Sequence, residues 1–254
     1  MGDNNKMTDG FGMNEFMENE SEFIPIGGEE MDQDTDDKPI PDKLPILPLR
    51  NITLFPGVVI PIAIGREKSH QLIKDVQRNK GYFGALTQRD YKVEEPGVED
   101  LYHTGAVARI VKILDMPDNS TSVIVQGKKR FRLEEMESDD PYFMGSISVL
   151  EDLEPEGDQT REFEAVLSSL NDLSLKPIKQ SPNVPSEASF AIRNIENPSF
   201  LINYISANSE IEVKEKQRLL ETDDLKDRGM RLVEYLVREV QLSEIKNDIQ
   251  SKVK

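Results

Sequence analysis

Apolar positions recur along this chain with two periods, and the period changes past its middle. Val58 to Ile64 reads Val-Val-Ile-Pro-Ile-Ala-Ile, a β-branched run that predicts a buried strand, with Pro61 marking an edge or a bulge. Leu44 to Leu49 is apolar and carries Pro45 and Pro48, which predicts an extended edge or the start of a strand. Phe55-Pro56-Gly57 signals a turn. Between Glu67 and Arg78 the period lengthens. Leu72, Ile73 and Val76 stand among polar residues, as one face of an amphipathic helix requires. Glu67 lies in the first turn, where a negative charge suits the helix dipole. Gly81 ends this helix, and Tyr82 to Thr87 follows as a short strand.

Gln88 to Tyr102 is polar, contains Pro96-Gly97, and reads as a loop. Thr104 to Leu114 alternates, with Val107, Arg109, Val111 and Ile113 as the candidate inward face. Pro117-Asp118-Asn119-Ser120 predicts a hairpin turn, with Thr121 to Gln126 pairing back. Lys129 to Glu135 and Tyr142 to Leu150 are two further strands. Strands at this spacing with one intervening helix predict a small mixed β-barrel or sheet.

After Leu150 the pattern becomes helical. Glu151 to Asp158 is an acidic linker with Pro155 and Gly157. Arg161 to Leu175 places Phe163, Val166, Leu167, Leu170 and Leu173 at helical spacing, and Lys176 to Pro185 is a proline-rich loop. Ser186 to Ile195 is a helix with Ser186 as N-cap, and Asn197-Pro198 breaks the chain before a short helix at Ser199 to Ala207. Ser209 is a candidate cap for the next segment, Val213 to Leu220. From Asp223 to Lys254 one stripe runs through Leu225, Leu232, Leu236, Val240, Ile245, Ile249 and Val253 without a C-cap. About 32 residues at 1.5 Å each make a helix of roughly 48 Å. The expectation is a helix that packs on a partner or continues into further sequence.

Charge divides the chain differently. Of the formal net charge of −17, residues 1–43 carry −10: thirteen acids against Lys6, Lys38 and Lys43. This segment has too little apolar surface to offset its ordering entropy, which predicts a disordered acidic tail. Phe11, Met13, Phe16, Met17, Phe23, Ile24 and Ile26 interrupt it. They are either incidental or a sticky peptide able to dock in a groove. Such acidity repels phosphate backbones and anionic lipid, so neither nucleic acid nor membrane is an expected partner. Only short basic clusters oppose it, such as Lys128-Lys129-Arg130-Phe131-Arg132. No apolar run approaches the ~20 residues of a membrane span. The start is polar rather than a secretory signal, and a soluble cytoplasmic protein is expected.

The missing chemistry narrows the function further. No cysteine is present, which excludes disulfides, thiolate metal sites and cysteine nucleophiles. A phosphate-cradling loop needs Gly, four residues, then Gly-Lys-Ser/Thr. Gly127-Lys128 fails, with Ser122 at the first glycine position and Lys129 after the lysine. Histidine is limited to His70 and His103, without metal-ligand spacing. His70 reads as solvated rather than as a base, and Ser120 is explained by turn chemistry. The pairs Glu134-Glu135 and Asp139-Asp140 read as solvated charges rather than an acid/base dyad. Catalytic, cofactor-binding and metal-binding residues are therefore all assigned as none.

One family has a similar arrangement. Leu44-Pro45-Ile46-Leu47-Pro48-Leu49-Arg50, Leu54-Phe55-Pro56-Gly57, Ile60-Pro61 and Gly65-Arg66-Glu67-Lys68-Ser69 resemble the opening signature of the Lon protease N-terminal domain. Gly105-Ala106-Val107-Ala108-Arg109-Ile110, Pro117-Asp118 and Gly127-Lys128-Lys129-Arg130-Phe131 resemble its strand, hairpin and strand. The order and spacing agree, and the resemblance covers roughly residues 44–254. Asn119-Ser120-Thr121 departs from the tighter turn usual there, and the acidic tail extends beyond the family's common start.

The resemblance implies an α+β fold. It gives an acidic tail (1–43), a PUA-like β pseudo-barrel (44–150), a helical subdomain (151–222) and a long helix (223–254) leading toward an AAA+ ATPase. It further implies substrate recognition and assembly for a hexameric, ATP-dependent serine protease of protein quality control. ATP, Mg and a Ser-Lys dyad would lie in domains this chain lacks. The partners would be unfolded or damaged proteins and other copies of itself. The substrate-binding residues are placed at Gly65 to Gln71, above all Glu67, Lys68 and Gln71; the plainer reading is that Glu67 and Lys68 only complete a helix start. The alternative is a stand-alone Lon/PUA-like ligand- or RNA-binding module.

Overall fold

The computed structural model describes residues 38–115, 121–180 and 192–253. Asp37–Lys254 forms one compact unit. The acidic tail up to residue 37, the turn at residues 117–120 and the N-cap expected at Ser186 lie outside the described residues.

Six strands build one sheet: β1 (Lys43–Leu49), β2 (Val59–Ile64), β3 (Phe83–Thr87), β4 (Thr104–Asp115), β5 (Thr121–Ser138) and β6 (Met144–Leu150). Their order is β2-β5-β4-β3-β1-β6, and β5 also pairs with β6. The ring β5-β4-β3-β1-β6 therefore closes on itself as a small barrel. β2 hangs outside the ring, on residues 121–126 of β5. Helix α1 (Glu67–Asn79) turns Leu72, Ile73 and Val76 into a core shared with Leu47, Leu49, Ala106, Ala108, Val123 and Val125. A second cluster holds Leu44, Ile46, Leu86, Val107, Phe131 and Leu133. β1 thus sends Leu47 and Leu49 into one cluster and Leu44 and Ile46 into the other. Burial on both sides accounts for its nearly continuous apolar run.

Three strand expectations are corrected. β1 is an interior strand, not an edge. Its first half, Lys43 to Pro45, pairs with β6, and its second half, Ile46 to Leu49, with β3. The prolines are tolerated through alternation. Ile46 N–H donates to Phe143 O, so the Pro45 nitrogen faces away from β6. Leu49 O accepts from Gln88 N, so the neighbouring Pro48 nitrogen faces away from β3. The strand that does lie at the edge is β2, with exposed Pro61 at its centre, as that proline predicts.

The alternation expected in β4 breaks at Val111, which is exposed. The register shifts between Ile110 and Lys112, and this bulge turns Ile113, rather than Val111, back toward Ile110 and the core. The two strands expected on either side of Gly127 are one strand, β5. Gly127 N–H donates to Val58 O, and Gly57 N–H donates to Gly127 O. A Cβ at Gly127 would collide with Phe55 O, so glycine here admits a neighbouring backbone instead of ending the strand.

The helical half contains α2 (Gln159–Gln180), α3 (Pro198–Asn208), α4 (Val213–Glu221) and α5 (Leu225–Val253). α2 continues through residues 176–180, where a proline-rich loop is expected. Asn197 caps α3 by accepting from Phe200 N, with Pro198 in its first turn. Ser209 does not cap α4. Its hydroxyl donates back to Ile205 O, and Glu212 holds the N-cap position. α2 and α5 pack closely at Gly229, where a Cβ would meet Val166 Cγ1 at 2.8 Å. The α5 stripe buries Leu225, Leu232 and Leu236 and leaves Ile245 and Ile249 exposed, and Leu242 beside it is exposed as well.

Candidate functional site

Two places combine polar side chains with apolar surface: a cleft at the start of α1 and the joint between barrel and helices. Ile46, Leu47 and Pro48 of β1 line the cleft together with Arg66, Lys68, Ser69 and Leu72 at the start of α1. Glu95 and Pro96 come from the loop after β3, and Tyr142 and Phe143 from the residues before β6. The cleft offers about 50 Å³, well below the ~300–1,000 Å³ of a small-molecule site.

Arg66 organises this region. Its Nε donates to Glu94 O at 2.7 Å and its Nη2 to Gln88 Oε1 at 2.5 Å. The buried Gln88 in turn donates to Val93 O at 2.9 Å. Two side chains thus fasten the loop after β3 to the start of α1. Partial burial, and then the nearby Arg50 charge, lowers the Arg66 pKa. Across the cleft, Tyr142 OH donates to Asp75 Oδ2 at 3.2 Å. Burial, followed by the Asp75 carboxylate, raises the tyrosine pKa.

The three residues expected at the site are placed differently from one another. Lys68 lines the cleft and donates to Asp139 O at 2.8 Å. Glu67 is exposed in the first turn of α1 and outside the cleft lining. Gln71 is also outside it and donates along the helix to Asp75 Oδ2 at 3.1 Å. Sequence reasoning missed Tyr142, Phe143, Glu95 and Pro96, which reach the cleft only through the tertiary fold. Arg66 lies within the Gly65 to Ser69 motif, next to Glu67 and Lys68, and that motif is the sequence signal pointing to it.

At the joint, the link between β1 and β2 enters the helical core. Phe55 and Val58 pack with Leu170, Leu201, Ile202, Leu219 and Leu232. Gly57 has φ +78°, and an added Cβ would meet the Phe200 ring at 2.5 Å. Asn203 Nδ2 donates to Pro56 O at 3.3 Å, and buried Gln217 donates to Thr104 O at 2.8 Å. Beneath them, Asp152 accepts from Arg130, Arg228 and Ser199. Arg130, 2% exposed, also reaches Asp223, Leu220 O and Glu151 O. Burial alone would raise the Asp152 pKa. The bonds and charge of Arg228, with Ser199 and Arg130, outweigh it and hold the carboxyl below its ordinary range. The segment expected to be an acidic linker therefore supplies the pin of the joint, and of the basic cluster Arg130 turns inward while Lys129 and Arg132 stay exposed.

Among the described residues, no three His, Cys, Asp or Glu side chains are placed to hold a metal ion. No helix among them is long and apolar enough to cross a membrane.

Comparison with known proteins agrees with this architecture. Residues 43–238 match the family described as the ATP-dependent protease La (LON) substrate-binding domain. A Lon protease of Flavobacterium johnsoniae is 46% identical over 246 residues, which is 97% of this chain and 30% of that protein. A Lon protease of Parabacteroides distasonis is 48% identical over 212 residues, 83% of this chain and 26% of that protein. The chain thus spans under a third of the length of these relatives. The solved N-terminal domain of a Mycobacterium avium complex Lon protease superimposes with a TM-score of 0.62 at 20% identity, covering 77% of this chain and 98% of that one. The match takes in the barrel and most of the helical half together, and the chain belongs to the family of LON substrate-binding domains.

Proposed function

We propose that this chain is the polypeptide-recognition and assembly region of an ATP-dependent serine protease of the Lon type, acting on misfolded and regulatory proteins. The observation that carries this reading is the family match over residues 43–238, which spans barrel, joint and helices. On this reading the chain binds substrate and does not cut it. ATP with Mg, the AAA+ motor and the serine nucleophile belong to the rest of a cytoplasmic, hexameric parent, of whose relatives this chain spans about 30%. Lys68 and Arg66 at the cleft, with Glu67 and Gln71 beside it, are the residues we assign to substrate contact. The partly exposed Pro48, Tyr142 and Phe143 of the cleft suit the apolar side chains an unfolded protein exposes.

An RNA-binding module has less support, because Arg130 is buried against Asp152 and Lys129 lies 3.2 Å from Glu151. The test is to incubate the 254-residue chain with a fluorescently labelled denatured protein, with and without ATP. Anisotropy should rise and no peptide bond should be cut. ATP-dependent cleavage by this chain alone would refute the reading.

A further inference from the structure

We propose that Glu239 is a proton-operated clasp that fastens the middle of α5 to the joint between α3 and α4 and loosens when it ionises. The geometry is that of a carboxyl with too few donors. Glu239 Oε1 accepts from Glu210 N at 3.3 Å, long beside the usual ~2.9–3.0 Å of an N–H···O bond. Oε2 is buried, and among the described residues no group donates to it.

The charges facing it do not repair this. Lys216 of α4 is the cation whose charge acts on it, but its Nζ donates to Ala207 O, in the last turn of α3, at 2.7 Å. Arg238, next to Glu239 on α5, is paired with Glu215 of α4 at 3.0 Å. Glu210, on the link between α3 and α4, adds a second negative charge, and the only ionisable side chain of α3 is Tyr204. An ionised Glu239 therefore leaves a buried oxygen unsatisfied beside a like charge, whereas a protonated one carries no charge to desolvate.

The balance of effects agrees. Burial is largest and raises the Glu239 pKa. The Glu210 N–H bond lowers it, the Glu210 charge raises it and Lys216 lowers it, with a net rise. A folded-state value above the unfolded one means the folded chain holds its proton longer. The clasp's contribution is full below the unfolded value of ~4.3 and is lost as pH rises through the folded value. The clasp sits about one turn before Leu242, the first of the exposed apolar positions Leu242, Ile245 and Ile249 along the end of α5. Proton release would weaken the anchoring of that stretch.

The experiment is a 13C carboxyl NMR titration of the 254-residue chain, with thermal unfolding of wild type and E239Q from pH 4 to 8. The Glu239 midpoint should lie above ~4.3, and Lys216→Met should move it further up, which a purely structural residue would not show. The wild-type Tm should fall relative to E239Q as pH rises. A midpoint at or below ~4.3, or parallel Tm profiles, overturns the proposal. If E239Q does not fold, the wild-type titration decides alone.

Discussion

Arg130 of β5 and Arg228 of α5 share one oxygen: Asp152 Oδ1 lies 2.9 Å from Arg130 Nε and 2.7 Å from Arg228 Nη2. The arginine side chains are 1% and 0% exposed, and Asp152 is 23% exposed. Asp223, at 2.8 Å from Arg130, brings the group to two positive and two negative charges. Barrel and helices are joined through this group, not merely tethered by a linker.

Removing the shared acceptor should be costly. Asp152→Ala leaves two guanidinium groups buried with fewer acceptors, and breaking a buried pair costs about 3–5 kcal/mol. Urea unfolding should show a fall of that order, with Asp152→Asn losing less because its amide oxygen still accepts. A loss under about 1 kcal/mol would show that the network contributes little, as exposed pairs do.

The same carboxyl gives a pH dependence of definite sign. Its folded-state pKa is depressed, so it contributes stability above the unfolded value of ~3.9 that is lost as pH falls through the lower, folded value. Thermal unfolding of wild type and Asp152→Asn should therefore differ most near neutrality and converge below about pH 4. A difference that widens in acid would contradict the assignment.

Gly57 and Phe200 should be coupled. Gly57→Ala places a Cβ 2.5 Å from the Phe200 ring and a non-glycine residue at φ +78°. A residue forced into that region costs about 1–3 kcal/mol, and the ring contact adds to it. In a double-mutant cycle with Phe200→Ala the contact part should vanish while the backbone part persists, so the two losses should sum to more than the double variant shows.

Much of this was legible in the sequence, and the exceptions share a cause. α1 could be read because Leu72, Ile73 and Val76 obey a local period, and α3 because Asn197-Pro198 is a local capping signal. Three features depend on residues far apart in the chain: the interior place of β1, the unbroken β5 and the bulge at Val111. No local pattern distinguishes a proline whose nitrogen faces away from a ladder from one at an edge. Asp152 was hidden most completely. It is one acid in an acidic run, and its role exists only because Arg130 and Arg228 converge on it from 22 and 76 residues away. The cleft was half legible: the motif contained Arg66 and Lys68, while Tyr142 and Phe143 arrive from beyond β5.

The central claim, recognition of non-native polypeptide, is tested most directly by offering this chain one protein in two states. Equilibrium binding of a labelled, permanently unfolded variant should be measured beside binding of its native form at matched ionic strength. The account predicts saturable binding of the unfolded form, weakened by Lys68→Glu, and little or none of the native form. Equal affinity for both, or for neither, would contradict it.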